Sequence, residues 1–171
     1  MRKRNRLSNY DYSNNGYYYI TICTDNRVEW LGNILDDQMT INPYGIICQQ
    51  CWMDLPNHYN NLFLDAYIIM PNHIHGIIII NNLDKREDYK PSPTDKLYSL
   101  SEIIRGFKTF SSKRINEIIK THNKFKWQRS FHDHIIRNDK SLHNTREYII
   151  NNPITWEKDE NNINIPVGTG L

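Results

Sequence analysis

The chain has little of what would place it outside a cell or in a membrane. Its 171 residues hold only three cysteines, Cys23, Cys48 and Cys51. An odd count with no secretory signal ahead of it argues against a disulfide scaffold and predicts reduced thiols in the cytoplasm. Met1-Arg-Lys-Arg-Asn-Arg6 is basic but leads into no apolar segment. No run approaches the roughly 20 apolar residues of a membrane span. Cys48-Gln-Gln-Cys51 lacks the second ligand pair of a zinc site, so core or surface cysteines on a helix are the simpler reading. No internal repeat is evident, and the length suits one domain whose core needs no cross-links.

Strong net charge is missing too, at +2 overall, but the charge is uneven. From Lys96 to Arg146 there are twelve Lys or Arg against Glu102, Glu117, Asp133 and Asp139. An excess of that size favours a polyanionic partner; the alternative is a solvated basic helix.

Along the chain, Tyr17 to Thr24 reads as a strand because aromatic and β-branched residues dominate it. Val28 to Leu31 suits a short return strand. Asn42-Pro43 resembles a cap followed by a first-turn proline, predicting a helix through Ile46, Ile47, Gln50 and Trp52 toward Pro56. Two apolar runs flank Met70-Pro71-Asn72 and predict a hairpin. Its second strand contains Ile77 to Ile80 with no polar face, so it should be central and covered on both sides. Asn81 to Lys96 is polar and suits a surface loop. Ser99-Leu-Ser-Glu102 has capping-box spacing and opens a long amphipathic helix. Phe131 to Arg137 alternates as a strand, and Asn138 caps a last helix that runs to about Asn151 before Pro153. The order predicts an α+β domain, a ferredoxin-like antiparallel sheet with helices packed on one face. The expected division is a basic arm over 1–16, a domain over 17–156 and a polar tail over 157–171.

His73 and His75 stand two apart on the second hairpin strand, so both imidazoles leave the same face. Such a pair can give two nitrogen ligands to a divalent ion; the alternative is a hydrogen-bonded pair, and His132-Asp-His134 has the same spacing. Tyr148 and Asn152, at i and i+4, share one helical face. The Asn152 amide oxygen suits a third ligand position, with open positions left for a phosphate oxygen and water. A tyrosine held beside a metal-bound phosphodiester can act as a covalent nucleophile; packing on an amphipathic helix is the alternative. Trp127 suits a core anchor as well as a base platform.

Met70-Pro-Asn-His-Ile-His75, Trp127-Gln-Arg-Ser-Phe-His-Asp-His-Ile-Ile-Arg137 and Tyr148-Ile-Ile-Asn-Asn-Pro153 together resemble, in order and spacing, the REP-associated tyrosine transposases, a single-tyrosine branch of the HUH nucleases. The resemblance spans about Tyr17 to Trp156. It implies His73 and His75 as metal ligands with Asn152 in the third position, Tyr148 as the nucleophile, and His134 as a recurrent histidine of open role. It further implies Mg or Mn as cofactor, single-stranded or hairpin DNA as partner, and a monomer or a homodimer. The expected activity is strand cleavage and rejoining through a 5′-phosphotyrosine. A protein that binds hairpins without moving them is the alternative. Arg105, Lys108, Lys113, Arg114, Lys124, Lys126 and Arg129 are the candidate phosphate contacts.

Overall fold

The structure is a computed structural model that describes residues 10–82, 97–120 and 122–162. The basic arm at Arg2 to Arg6, most of the polar loop before Lys96 and the tail beyond Asn162 lie outside the described residues. Strand β1 (Gly16–Cys23) is followed by a two-stranded hairpin, β2 (Gly32–Leu35) and β3 (Gln38–Ile41). Helices α1 (Pro43–Met53) and α2 (Leu55–His58) lead to β4 (Leu62–Met70) and β5 (His73–Ile80). Helix α3 (Leu100–Ile118), strand β6 (His132–Ile136) and helix α4 (Asp139–Asn151) complete the order, and a 3-10 helix (Pro153–Lys158) closes it. Among the described residues, no helix is long and apolar enough to cross a membrane.

The main sheet is antiparallel in the order β4-β5-β1-β6. Local chemistry sets its helices as expected. Asn42 Oδ1 accepts from the N–H groups of Tyr44 and Gly45 at 3.0 Å, satisfying donors that the first turn of α1 leaves open. The capping box forms at α3, where Glu102 Oε2 accepts from the Ser99 N–H at 3.0 Å. Asn138 Oδ1 accepts from the Ser141 N–H at 2.8 Å and starts α4. One expected element moves. Val28 to Leu31 forms no strand; the hairpin follows it, around Asp36 and Asp37, both at positive φ. Two such residues match the twist that a tight hairpin turn requires, which the Asp-Asp pair did not advertise.

The α+β class holds, and the helices divide between the two faces of the sheet. Tyr18, Ile20, Ile22, Ile74 and Ile78 point into the large core with α1 and α3. Tyr19, Ile68 and Ile77 point the other way, against Leu142 and Ile149 of α4. Strand alternation requires this, since a central strand of consecutive isoleucines must be covered twice. All three cysteines are buried free thiols, with Cys48 and Cys51 inside the large core.

Gly76 shows how closely the helical layer is set. A Cβ there would lie 2.5 Å from Cζ2 of Trp52, which is fully buried. Gly76→Ala is expected to cost about 3 kcal/mol by overpacking. In thermal unfolding that is a fall in Tm of roughly 6–12 °C.

A candidate metal and nucleophile site

The β4-β5 turn builds one end of the site through a single side chain. Asn72 is buried, and its Nδ2 donates to the carbonyls of Arg27 (3.0 Å) and Asn161 (2.8 Å). That fixes Asn72 Oδ1 as the acceptor facing His73 Nδ1 at 2.8 Å. His73 is therefore protonated on Nδ1, and its Nε2 lone pair is turned to the site. His75 Nδ1 meets the hydroxyls of Tyr19 (2.8 Å) and Thr21 (2.9 Å), so its Nε2 also points inward. The two Nε2 atoms lie 2.9 Å apart, close enough to share a proton.

Asp159 completes the cluster. Its ligand atom and those of His73 and His75 all lie within 4.8 Å of one another, and the three residues are buried. Asp159 Oδ1 accepts from the Asn161 N–H (2.6 Å) and side-chain amide (2.9 Å), and Oδ2 accepts from Asn152 Nδ2 at 3.1 Å. With Nδ2 committed there, Asn152 Oδ1 is left buried with no donor at bonding distance. An orphaned buried oxygen is costly unless something else satisfies it. Two imidazole nitrogens, a carboxylate and this oxygen fit a divalent ion that takes mixed nitrogen and oxygen donors.

Tyr148 stands over the cluster from α4 of the same chain. Its ring centroid is 5.3 Å from that of His75 and 6.2 Å from that of Tyr19, and the residue is 46% exposed. Helix α4 is held to the sheet by Arg146, whose Nε donates to Asp65 Oδ1 at 2.9 Å, and by Ile149. Arg146 holds the Asp65 carboxyl below the ordinary carboxylate range. Burial raises the Tyr148 phenol above its ordinary pKa, and the nearby Asp159 and Glu160 charges raise it further. A cleft of about 670 Å³ opens beside it, lined among others by Thr21, His75, His132, His134 and Arg27.

Burial holds the His73 imidazole well below its ordinary pKa, with the His75 and Arg27 charges adding to the effect. Burial lowers His75 to about 4. Both rings are neutral in the fold, whereas an unfolded histidine protonates near pH 6.5. The folded state thus binds fewer protons below pH 6.5, so stability is lost as pH falls from there toward 4. Each histidine should cost about 1.4 kcal/mol at pH 5.5, and urea midpoints at pH 7.5 and 5.5 will test this.

The structure brings His73, His75, Tyr148 and Asn152 together. His134 reaches the same cleft from β6, where it pairs with Tyr19. The cations on α3 lie elsewhere. Arg105, Lys108, Lys113 and Arg114 sit on the helix that covers the opposite face of the sheet. Lys108 Nζ is taken up by the carbonyls of Gln128 (2.9 Å) and Ser130 (2.8 Å), and Arg114 donates to Gln50 Oε1 at 3.0 Å. Lys124, Lys126 and Arg129 are exposed, beside buried Phe125 and Trp127. Trp127 is a core anchor, its Nε1 donating to Ser111 Oγ at 2.9 Å. Replacing Lys126 and Arg129 with Ala should therefore lower the slope of log affinity against log salt by up to about 1.4 for single strands. Lys108→Ala should leave that slope unchanged and lower Tm.

Sequence reasoning missed Asp159 and Arg27. Asp159 lies past the domain end expected at 156, within a stretch read as polar tail. The 3-10 helix instead runs on to Lys158, and Asp159 and Asn161 are buried beyond it. Trp156, with its ring centroid 5.9 Å from that of His73, is the apolar anchor that could have signalled this return.

No family model matches the chain. It is 36% identical over 171 residues to an uncharacterized protein of Haemophilus influenzae, covering 93% of this chain and 92% of that protein. It is 27% identical over 154 residues to another protein of that organism, named "Putative REP-associated tyrosine transposase", covering 86% and 77% of the two. Its fold is similar to the solved structure of a REP-associated tyrosine transposase bound to a REP hairpin, with a TM-score of 0.60 and 18% identity. That match covers 91% of this chain and 74% of the other.

Proposed function

We propose that the chain is a REP-associated tyrosine transposase that cuts and rejoins single-stranded DNA beside hairpins. One observation supports the reading above all: a half-exposed phenol stands over two converging imidazole nitrogens, a carboxylate and an orphaned amide oxygen. Those groups come from one chain, so no second copy is needed to complete the set. The Tyr148 oxygen attacks phosphorus of a phosphodiester in the cleft and gives up its proton to water. The bond from phosphorus to the 3′ oxygen breaks, and that oxygen leaves as a hydroxyl with a proton drawn from water. The 5′ phosphate stays esterified to Tyr148 until a 3′ hydroxyl from another end reverses the bond changes. His73, His75, Asp159 and Asn152 would hold a divalent ion, Mg or Mn. Such an ion, when bound, polarises the phosphoryl group and offsets charge on its oxygens.

The partner is a hairpin-bearing strand, as in the REP hairpin complex of the similar structure. Exposed Lys124, Lys126 and Arg129 supply phosphate contacts from the segment that meets the turn after β1, where the Lys126 carbonyl accepts from the Asp25 N–H at 2.8 Å. The α3 cations lie on the helix that covers the other face of the sheet, and Lys108 is already taken up by the carbonyls of Gln128 and Ser130, so they are the weaker candidates for the reacting strand. The test is to incubate the protein with Mn²⁺ or Mg²⁺ and a 3′-labelled single strand carrying a hairpin, then denature. A covalent protein–DNA band is expected. Cleavage without such a band would make water the nucleophile, and binding without cleavage would make the chain a hairpin-binding protein.

A further inference from the structure

Arg27 sits in an unusual place for an arginine. Asn26 and Arg27 both have φ of 53°, in the left-handed region that asparagine enters readily and arginine seldom does. The surroundings hold the conformation. The Arg27 N–H donates to the Thr24 carbonyl at 3.1 Å, and its carbonyl accepts from Asn72 Nδ2 at 3.0 Å. The same Asn72 side chain orients His73, so the arginine and the metal-ligand pair are set by one group.

The side chain is as informative as the backbone. Arg27 lines the 670 Å³ cleft together with His75 and Tyr148. Nη1 donates to the Glu160 carbonyl, and among the described residues the guanidinium has no carboxylate partner within bonding distance. Four of its five N–H donors are left for a ligand. Its positive charge is felt at the adjacent His73. A planar cation with no carboxylate partner, held at positive φ and lining the same cleft as the candidate nucleophile, suits a tetrahedral oxyanion.

We propose that Arg27 is a catalytic residue whose guanidinium binds a non-bridging oxygen of the scissile phosphodiester and offsets the charge that grows there as Tyr148 attacks. This rests on the strand-transfer reading above. It adds a fixed cation on the protein itself, brought to the cleft wall by the turn after β1.

The test uses Arg27→Gln and Arg27→Lys in the full chain, compared by single-turnover adduct formation at saturating DNA. Gln keeps an N–H for the Glu160 carbonyl but removes the charge. The Gln variant is expected to form adduct about 100–1,000-fold more slowly than wild type, with Lys recovering part of the loss. Replacing the mapped scissile phosphate by a neutral methylphosphonate should shrink the gap between wild type and Gln to under about tenfold, because the transition state then carries one negative charge fewer. Equal rates would overturn the proposal. So would a gap that persists on the neutral substrate, which would mark a purely structural arginine. Should wild type form no adduct at all, the strand-transfer reading fails and the catalytic role with it, and titration of a thymidine hexanucleotide into the Mn²⁺-loaded protein decides the remaining part, that Arg27 binds a phosphodiester oxygen. Affinity weakened about tenfold or more in the Gln variant supports that binding role, and unchanged affinity overturns it as well.

Discussion

Tyr148→Phe is expected to remove the covalent protein–DNA species entirely and to cut strand cleavage on the order of a thousandfold or more, to background. Only one atom is lost. The ring would still stand against His75 and Tyr19, at centroid distances of 5.3 and 6.2 Å in the native site. Tyr148 is nearly half exposed, so the core does not depend on its hydroxyl. Single-strand affinity should stay within about twofold and Tm within about 2 °C, which separates loss of the nucleophile from loss of the fold. A denaturing gel of 3′-labelled strand, run beside a filter-binding titration, reads both quantities from one preparation. A Phe variant that still traps DNA would move the nucleophile to another side chain, and Tyr19, whose hydroxyl lies 2.8 Å from His75 Nδ1, is the phenol to test next.

The elements that carry this prediction are those whose signals are local. Caps at Asn42, Ser99 and Asn138 each need only a side-chain acceptor and an N–H two or three residues on, so they can be read without any tertiary knowledge. Alternation along β5 likewise puts His73 and His75 on one face whatever packs there. What the chain does not announce is which helix covers which face. Ile77 to Ile80 demands two covers but is silent on their identity, and α3 and α4 are both amphipathic enough to serve. The cations of α3 therefore stand on the face away from His73 and His75, a tertiary fact that periodicity alone does not carry. Arg27 and Asp159 escaped for a related reason. Each is a lone residue in a turn, brought to the site by Asn72 and by the return of the chain through Trp156, with no periodicity to mark it.

Under the proposed function, Asp159 is the residue expected to set how tightly a hard cation is held. Two neutral imidazoles and an amide oxygen bring no negative charge to a dication, whereas Mg²⁺ and Mn²⁺ favour carboxylate oxygen. Among the described residues, Asp159 is the carboxylate that clusters with His73 and His75. Asp159→Asn preserves the shape, and the fold has a way to absorb it. Asn Oδ1 can still accept from the Asn161 N–H, and its new amide can donate to Asn152 Oδ1 once that side chain rotates, ending that oxygen's isolation. The variant should accordingly fold, with a Tm near that of wild type when no metal is added. Mn²⁺ affinity should drop by about a hundredfold, a loss at least as large as that caused by removing outer-shell partners. At a Mn²⁺ concentration 100 times the wild-type Kd, wild type gains about 2.7 kcal/mol of stability and the variant about 0.4. A thermal-shift titration reads that difference directly, without any DNA. If both proteins gain equally, the carboxylate is not a ligand, and the Asn152 oxygen is left as the third donor beside the two imidazoles.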